Sequence, residues 1–298
     1  MNYALHLLIY FCIYAIAALS LNLVIGYCGL LTLAHAAYFA IGAYSYAILS
    51  LYGWGFVPAL VAAVVIVTLL SLIVSLPAWR FRGDNFVLMS LAAQTLIFSV
   101  LHNWYQSQAK PGTLRNLTNG PFGLAGIPRP DIFGISMDTT ASICVIALTL
   151  LAICALITWR LQSSPWGRLL QCMRDDELAL RGLGKNVRRV KLEAFALSCG
   201  LVAVAGVLYA SYVSFVDASS ATLDESILMV CMLLVGGMAN FRGPLVGAAV
   251  LLALPEILRM VHLPDTVAAN VRLLAYGVLL VLIVHFRPQG LAGKYRVQ

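Results

Sequence analysis

The stretch "GRLLQCMRDDELALRGLGKNVRRVK", Gly167–Lys191, is an island of charge between two apolar runs at roughly 140–160 and 191–214. It holds the bases Arg168, Arg174, Arg181, Lys185, Arg188, Arg189 and Lys191 and the acids Asp175, Asp176 and Glu177. The whole chain of 298 residues has only 19 Lys+Arg and 12 Asp+Glu. Each flanking run is about long enough to cross a bilayer, which takes roughly 20 apolar residues. Charge gathered between two such runs points to an all-α polytopic membrane protein with a structured loop on one side.

The rest of the chain agrees. Hydrophobic residues make up 61% and charged ones 10%, with mean hydropathy +0.91. A soluble domain carries about 25% charge, so these few charges cannot cover a globule, and the outer surface is expected to face lipid. Backbone groups in lipid must be satisfied within the protein, which leaves helices or a closed barrel. Long apolar runs without alternation select helices. Nine apolar segments are expected, at roughly 3–25, 33–51, 56–78, 85–103, 140–160, 191–214, 226–240, 243–260 and 268–286. The segment at 226–240 is short, with Gly236 and Gly237 near its end, and reads as a partial or broken helix. Residues 1–298 thus form a single transmembrane domain of about 8–9 helices plus a short coupling helix. The start "MNYALHLLIYF" has no basic n-region and no small-residue cleavage site, so it is read as a retained first span.

Basic residues set the orientation. They concentrate at Arg80/Arg82, at 160–191 and in the tail at Arg287, Lys294 and Arg296. Even numbers of spans separate these regions, so all fall on one side, which the positive-inside rule makes cytoplasmic. Arg242 lands there too. The N-terminus, the loop 104–139, the loop 215–225 and the turn near His262–Asp265 fall outside. The net charge of +7 follows from this bias and not from nucleic-acid binding. The loop "KPGTLRNLTNGPFGLAGIPRPDIFG" (110–134) is rich in turn formers and long enough to contact an external partner or cover a pathway.

Within the island, Asp175 or Asp176 is a good N-cap. Ala179, Leu180 and Leu183 supply apolar contacts, and Gly184 is a candidate C′ residue. The expected helix has about two turns, and "WGRLLQCM" (166–173) lies along the interface. Fixing topology against acidic lipid needs only basic residues. The acidic triplet opening a capped helix goes beyond that need and suits docking into a partner's groove.

Polar groups in the apolar segments are costly. Asn22, His35 (with Thr32 and Tyr38 near it) and Gln94 (with Thr95) are the candidates for lining or bracing a pathway, with helix-to-helix hydrogen bonding as the alternative role. His102 lies near the outer end of its segment. Glu256, Arg259 and Arg272 suit an ion pair or network at the membrane edge, or a substrate carboxylate partner. Gly243–Gly247 is a GxxxG at a helix start, a close-packing signature. The five histidines (6, 35, 102, 262, 285) share no ligand spacing, and the seven cysteines form no CxxC, so no metal site is expected. No catalytic residues are expected either. "GLGKN" at 182–186 lacks the P-loop spacing, so ATP would have to bind another chain.

The Gly167–Lys191 stretch resembles the coupling loop of LivM-type permeases, the membrane subunits of branched-chain amino-acid ABC importers. "LNLVIGYCGLLTLAHAAYFAIGAY" (21–44) is similar to that family's first-span signature, "NGPFGLAGIP" (119–128) to its external loop, and "LDESILMVCMLLVGGMANFRGPLVGAAVLLALPEIL" (223–258) to its C-terminal block. The family's EAA-like motif maps onto Glu177, Ala179 and Gly182 or Gly184; Leu178 and Leu180 depart from a strict EAA triplet. The resemblance implies coupling to ATPase subunits through Arg174, Asp175, Asp176, Glu177, Ala179, Gly182 and Gly184. It also implies two ATP-binding subunits, a second homologous permease and a periplasmic substrate-binding protein as partners. No cofactor is expected on this chain itself, with ATP bound by the partner subunits. The setting implied is the bacterial inner membrane, with the C-terminus and loop 161–190 cytoplasmic. The substrates implied are leucine, isoleucine and valine, with urea, short amides or aromatic acids as same-family alternatives. A lipid-modifying enzyme would need His or Cys beside the acids, and an ion-coupled carrier would need mid-span acids; the sequence is poor in both.

Overall fold

The structure, a computed structural model, describes residues 2–78, 84–132, 135–136, 139–259, 265–287 and 289–293. Arg80, Arg82, the turn at 262–264, Lys294 and Arg296 lie outside the described residues, as do the side chains of Arg259, Asp265 and Arg272.

Eleven α-helices stand among the described residues: α1 (Asn2–Asn22), α2 (His35–Leu51), α3 (Phe56–Ala78), α4 (Asp84–Asn103), α5 (Thr140–Ser163), α6 (Pro165–Asp175), α7 (Glu177–Gly182), α8 (Val187–Val213), α9 (Leu223–Gly236), α10 (Arg242–Arg259) and α11 (Asp265–Phe286). Among the described residues, five stretches are long and apolar enough to cross a membrane: Tyr3–Tyr27, Phe56–Val74, Asn85–Asn103, Thr140–Ser163 and Val187–Val213. The protein is all-α and membrane-like. The strands among the described residues are two-residue pairings: β1 (Leu124–Ala125) with β4 (Phe215–Val216), and β2 (Asp131–Ile132) with β3 (Ile135–Ser136).

The centre is α1, α2 and α8, whose side chains are mostly buried. Small residues let their backbones close up, as lipid-embedded helices require. A Cβ on Gly42 would fall 2.8 Å from the Ala203 Cα, and one on Gly206 would fall 2.1 Å from the Phe39 carbonyl oxygen. The outer helices α3, α4 and α5 carry exposed stripes such as Val61, Val65 and Leu69 on α3 and Val145, Ile153 and Leu156 on α5. Apolar residues turned outward at helical spacing are what a lipid-facing surface requires.

The segment expected to be short is α9, 14 residues from Leu223 to Gly236, about 21 Å at 1.5 Å per residue. The Gly243–Gly247 pair seats α10 on it, since a Cβ on Gly247 would overlap the Met232 carbonyl oxygen at 1.7 Å. The final carbonyls of α9 have no partner within the helix. The tail supplies two: Leu291 N–H donates to Val235 O and Ala292 N–H to Gly236 O, both at 2.9 Å.

Beyond Asn22, the first span continues as a π-helix, Leu23–Tyr27. Its end lies beside α6, α7 and the start of α8, where Tyr27, Cys28, Leu170, Met173, Leu180, Val187 and Val190 form a small core. The opposite end carries the loop after α4. There Trp104 Nε1–H donates to Leu114 O at 2.9 Å and Thr118 Oγ1–H to Leu101 O at 2.6 Å, so the loop expected from its turn formers is a folded cap.

Candidate functional site

The charged island is a two-helix knob locked onto α8. Ser164 caps α6 by accepting from Gly167 N–H at 3.3 Å, with Pro165 in the first turn. Asp176 forms the corner. It ends α6 and caps α7, its Oδ1 accepting from Leu178 N–H at 2.8 Å and Ala179 N–H at 2.9 Å. The end of α7 is a Schellman motif: Gly184 N–H donates to Arg181 O and Lys185 N–H to Leu180 O, with Gly184 at φ +75°. The start of this helix is set by the Asp176 side chain and its end by the conformational freedom of Gly184, both readable in the sequence.

Three ties bind the knob to its surroundings. The Glu177 carboxylate takes Lys191 Nζ of α8 at 2.8 Å and also pairs with Arg181. Trp166 Nε1–H donates to Glu193 Oε2 at 3.2 Å. Arg174 Nη1–H donates to Gly26 O at 2.6 Å, placing a cation on the carbonyl end of the first span, where the helix dipole favours it. Gly29 at φ +73° leaves room for this: a Cβ there would lie 2.6 Å from Arg174 Cγ. Burial pushes the Cys28 thiol beneath the knob up to about 12; nearby Lys191 pulls it down and Glu177 raises it further.

The residues assigned to coupling therefore divide. Arg174 turns inward and Glu177 is largely spent within the chain, while Asp175, Asp176, Ala179, Gly182 and Gly184 face out. Leu180 is buried. The most exposed apolar side chains of the knob are Leu178 (70%) and Leu183 (77%). The sequence marks Leu178 only as a departure from the EAA triplet; the signal for its exposure is its place between the capping Asp176 and the buried Leu180.

The three pathway candidates are fully buried and bonded. Asn22 Nδ2–H donates to Asn240 O at 3.0 Å, and its Oδ1 accepts from Ala239 N–H at 3.1 Å, clamping the turn after α9. His35 Nε2 meets Ser20 Oγ at 2.7 Å. The Ser20 hydroxyl hydrogen is given to Ala17 O at 2.7 Å, so His35 must donate through Nε2. Its Nδ1 has no partner among the described residues. Gln94 Oε1 accepts from Ala37 N–H at 3.0 Å, and Nε2–H donates to Ala221 O at 2.6 Å and Thr222 O at 3.1 Å. Ala36 N–H reaches Ser226 Oγ at 3.1 Å. Gln94 and Ser226 thus stitch the start of α2 to the start of α9.

A groove of about 680 Å³ lies elsewhere. It opens between α1, α9, α10 and α11, away from the knob, with Tyr10, Tyr14, Asp224, Glu225, Glu256 and Tyr276 on its wall. Tyr14 Oη–H donates to Glu225 Oε2 at 3.3 Å, and Tyr3 Oη–H to Glu256. The ion pair expected of Glu256 involves Arg259 and Arg272, whose side chains are outside the described residues.

Comparison with known proteins agrees with this architecture. The family described as "Branched-chain amino acid transport system / permease component" matches residues 3–284. The high-affinity branched-chain amino acid transport system permease protein LivM of Escherichia coli (strain K12) is 31% identical over 310 residues, covering 96% of this chain and 69% of that protein. Its counterpart in Salmonella typhimurium is 30% identical over the same shares. The probable LivM of Methanocaldococcus jannaschii is 23% identical over 330 residues, covering 96% of this chain and 92% of its own length. No solved structure matches the chain. The matched region takes in both the knob and the apolar helices, so the chain belongs to the branched-chain amino acid transport permease family and is a multi-pass membrane protein.

Proposed function

We propose that this chain is one permease subunit of an ATP-driven importer for branched-chain amino acids, forming half of the translocation pathway. The relatives whose names state that activity support the reading. The observation that carries the mechanism is the knob: a short helix fixed at both ends and tied to α8, with Leu178 and Leu183 turned outward. Such an element transmits force because its own bonds hold it to the helix it must move.

In this reading α1–α5, α8, α10 and α11 are full crossings and α9 is a partial one. The knob, with the C-terminus, faces the cytoplasm of a bacterial inner membrane. Two ATP-binding subunits grip Leu178, Ala179 and Leu183 across the Asp175–Gly184 surface. A second, homologous permease completes the pathway, and a periplasmic binding protein delivers substrate to the cap formed after α4. Closure of the ATPases tilts α8 and with it α2, which packs tightly against it. Asn22, His35 and Gln94 brace the pathway wall, since they hold the starts of α2 and α9 together and anchor the turn after α9.

The test is reconstitution of the five components in proteoliposomes. Uptake of leucine, isoleucine and valine should require ATP and the binding protein. Uptake without the ATP-binding subunits, or failure of those subunits to bind the permease pair, would overturn it.

A further inference from the structure

A second groove, of about 540 Å³, opens at the knob end of the bundle. The last turns of α5 contribute Ala152, Ala155, Leu156 and Trp159 to it, and the turn into α10 contributes Phe241 and Arg242. Leu156 and Trp159 continue the outward stripe that Val145 and Leu148 begin on α5, so the groove opens toward lipid. Arg242 opens α10, and no acid stands in that helix's first turn. A cation there meets the positive end of the helix dipole. Its side chain is exposed, and among the described residues no carboxylate pairs with it. The balancing charge must therefore come from outside the chain. Trp rings gather at the headgroup level of a bilayer, which sets the depth of Trp159 and of the guanidinium beside it. A basic crevice between spans at that level, on the cytoplasmic side, suits an anionic headgroup.

We propose that this groove holds one anionic phospholipid of the inner leaflet. Its phosphate rests on the Arg242 guanidinium, and an acyl chain runs along Ala152, Leu156 and the Trp159 ring. The choice of leaflet rests on the orientation given under the proposed function. The site is separate from the knob, whose exposed Leu178 and Leu183 belong to α7 and the turn after it. It adjoins the clamp on α9: Arg242 follows Asn240 by two residues, and the Asn240 carbonyl is held by Asn22 at 3.0 Å. A lipid seated there buttresses the turn from the outside that Asn22 holds from within.

The experiment places the complete importer in phosphatidylcholine nanodiscs doped with phosphatidylglycerol carrying a diazirine on its acyl chain. After photolysis, mass spectrometry should find the label on the peptides holding Leu156 and Trp159. Arg242→Gln should cut that labelling about fivefold, as expected for one basic residue facing an anionic headgroup. Arg242→Lys, which keeps a point charge for the phosphate, should stay within about twofold. Should Arg242→Gln fail to assemble, Trp159→Glu on an exposed side chain sets a like charge against the phosphate and should lower labelling as much. Equal labelling by a diazirine phosphatidylcholine, or unchanged labelling of Arg242→Gln, would overturn the assignment. Displacement by excess inorganic phosphate would give the groove to a free anion instead. Labelling that appears only once the ATP-binding subunits are stripped away would give it to an acidic protein surface; either result overturns the lipid. Uptake is not read, so loss of the lipid site leaves transport standing, and an inverted orientation is detected separately at Cys172.

Discussion

Glu177 and Lys191, fourteen residues apart, close an ion pair of 2.8 Å that fastens α7 to α8. Their side chains are 24% and 14% exposed, so water screens the pair only partly. In Glu177→Lys the new cation faces Lys191 and Arg181. Uptake should drop about tenfold while membrane insertion is retained, and the exchange Glu177→Lys/Lys191→Glu should recover part of it, a coupling of about 1 kcal/mol in a double-mutant cycle. Equal uptake by the single variant and wild type would remove the tie from the mechanism.

Gly184 holds φ +75° in the Schellman turn, and a Cβ there would meet nothing within 4 Å. The cost of substitution is therefore conformational alone. Gly184→Ala should cost about 1 kcal/mol of local stability. Gly184→Pro forces φ to about −65° and should unravel the end of α7. Uptake should follow that order, with Ala mildly affected and Pro abolished. A Pro variant as active as Ala would mean the turn is dispensable.

Leu178 and Leu183 are exposed, so their loss leaves the permease core intact. Leu178→Ala and Leu183→Ala should each weaken binding of the ATP-binding subunits by about 1–2 kcal/mol. Pull-down of purified ATPase by membrane-inserted permease measures this. Undiminished capture by the double variant would place the contact elsewhere.

Cys172 is exposed on the knob, whereas Cys28 lies buried under it. Burial raises the Cys28 thiol to about 12, so at pH 8 its thiolate is scarce as well as shielded. A membrane-impermeant maleimide should label Cys172 in inside-out vesicles and not in intact spheroplasts, and should leave Cys28 unmodified in both. Labelling of Cys172 in spheroplasts would invert the topology.

The apolar helices were legible because their signal is local: the nine expected segments correspond to α1–α5 and α8–α11, with boundaries within a few residues. The caps Asp176 and Gly184 were legible for the same reason, since each acts on backbone two or three residues away. The clamp of Asn22 was not, because its partners Ala239 and Asn240 are 217 and 218 residues distant. The groove was hidden likewise: Tyr14 meets Glu225 across 211 residues. Polarity within an apolar run flagged Asn22, His35 and Gln94 as costly. It did not reveal that each is already paid in hydrogen bonds to neighbouring helices. The sequence reads Leu183 together with Leu180 as apolar contacts, whereas Leu180 is buried and Leu183 is exposed.

The anchoring of α9 has a consequence for biogenesis. Its C-terminal end is held by Asn22 of α1 and by Leu291 and Ala292, which follow α11. Those two residues are synthesised well after α9. The short helix can therefore settle only once residues 291 and 292 have been made, and a truncation before Leu291 would leave its end without these two hydrogen bonds.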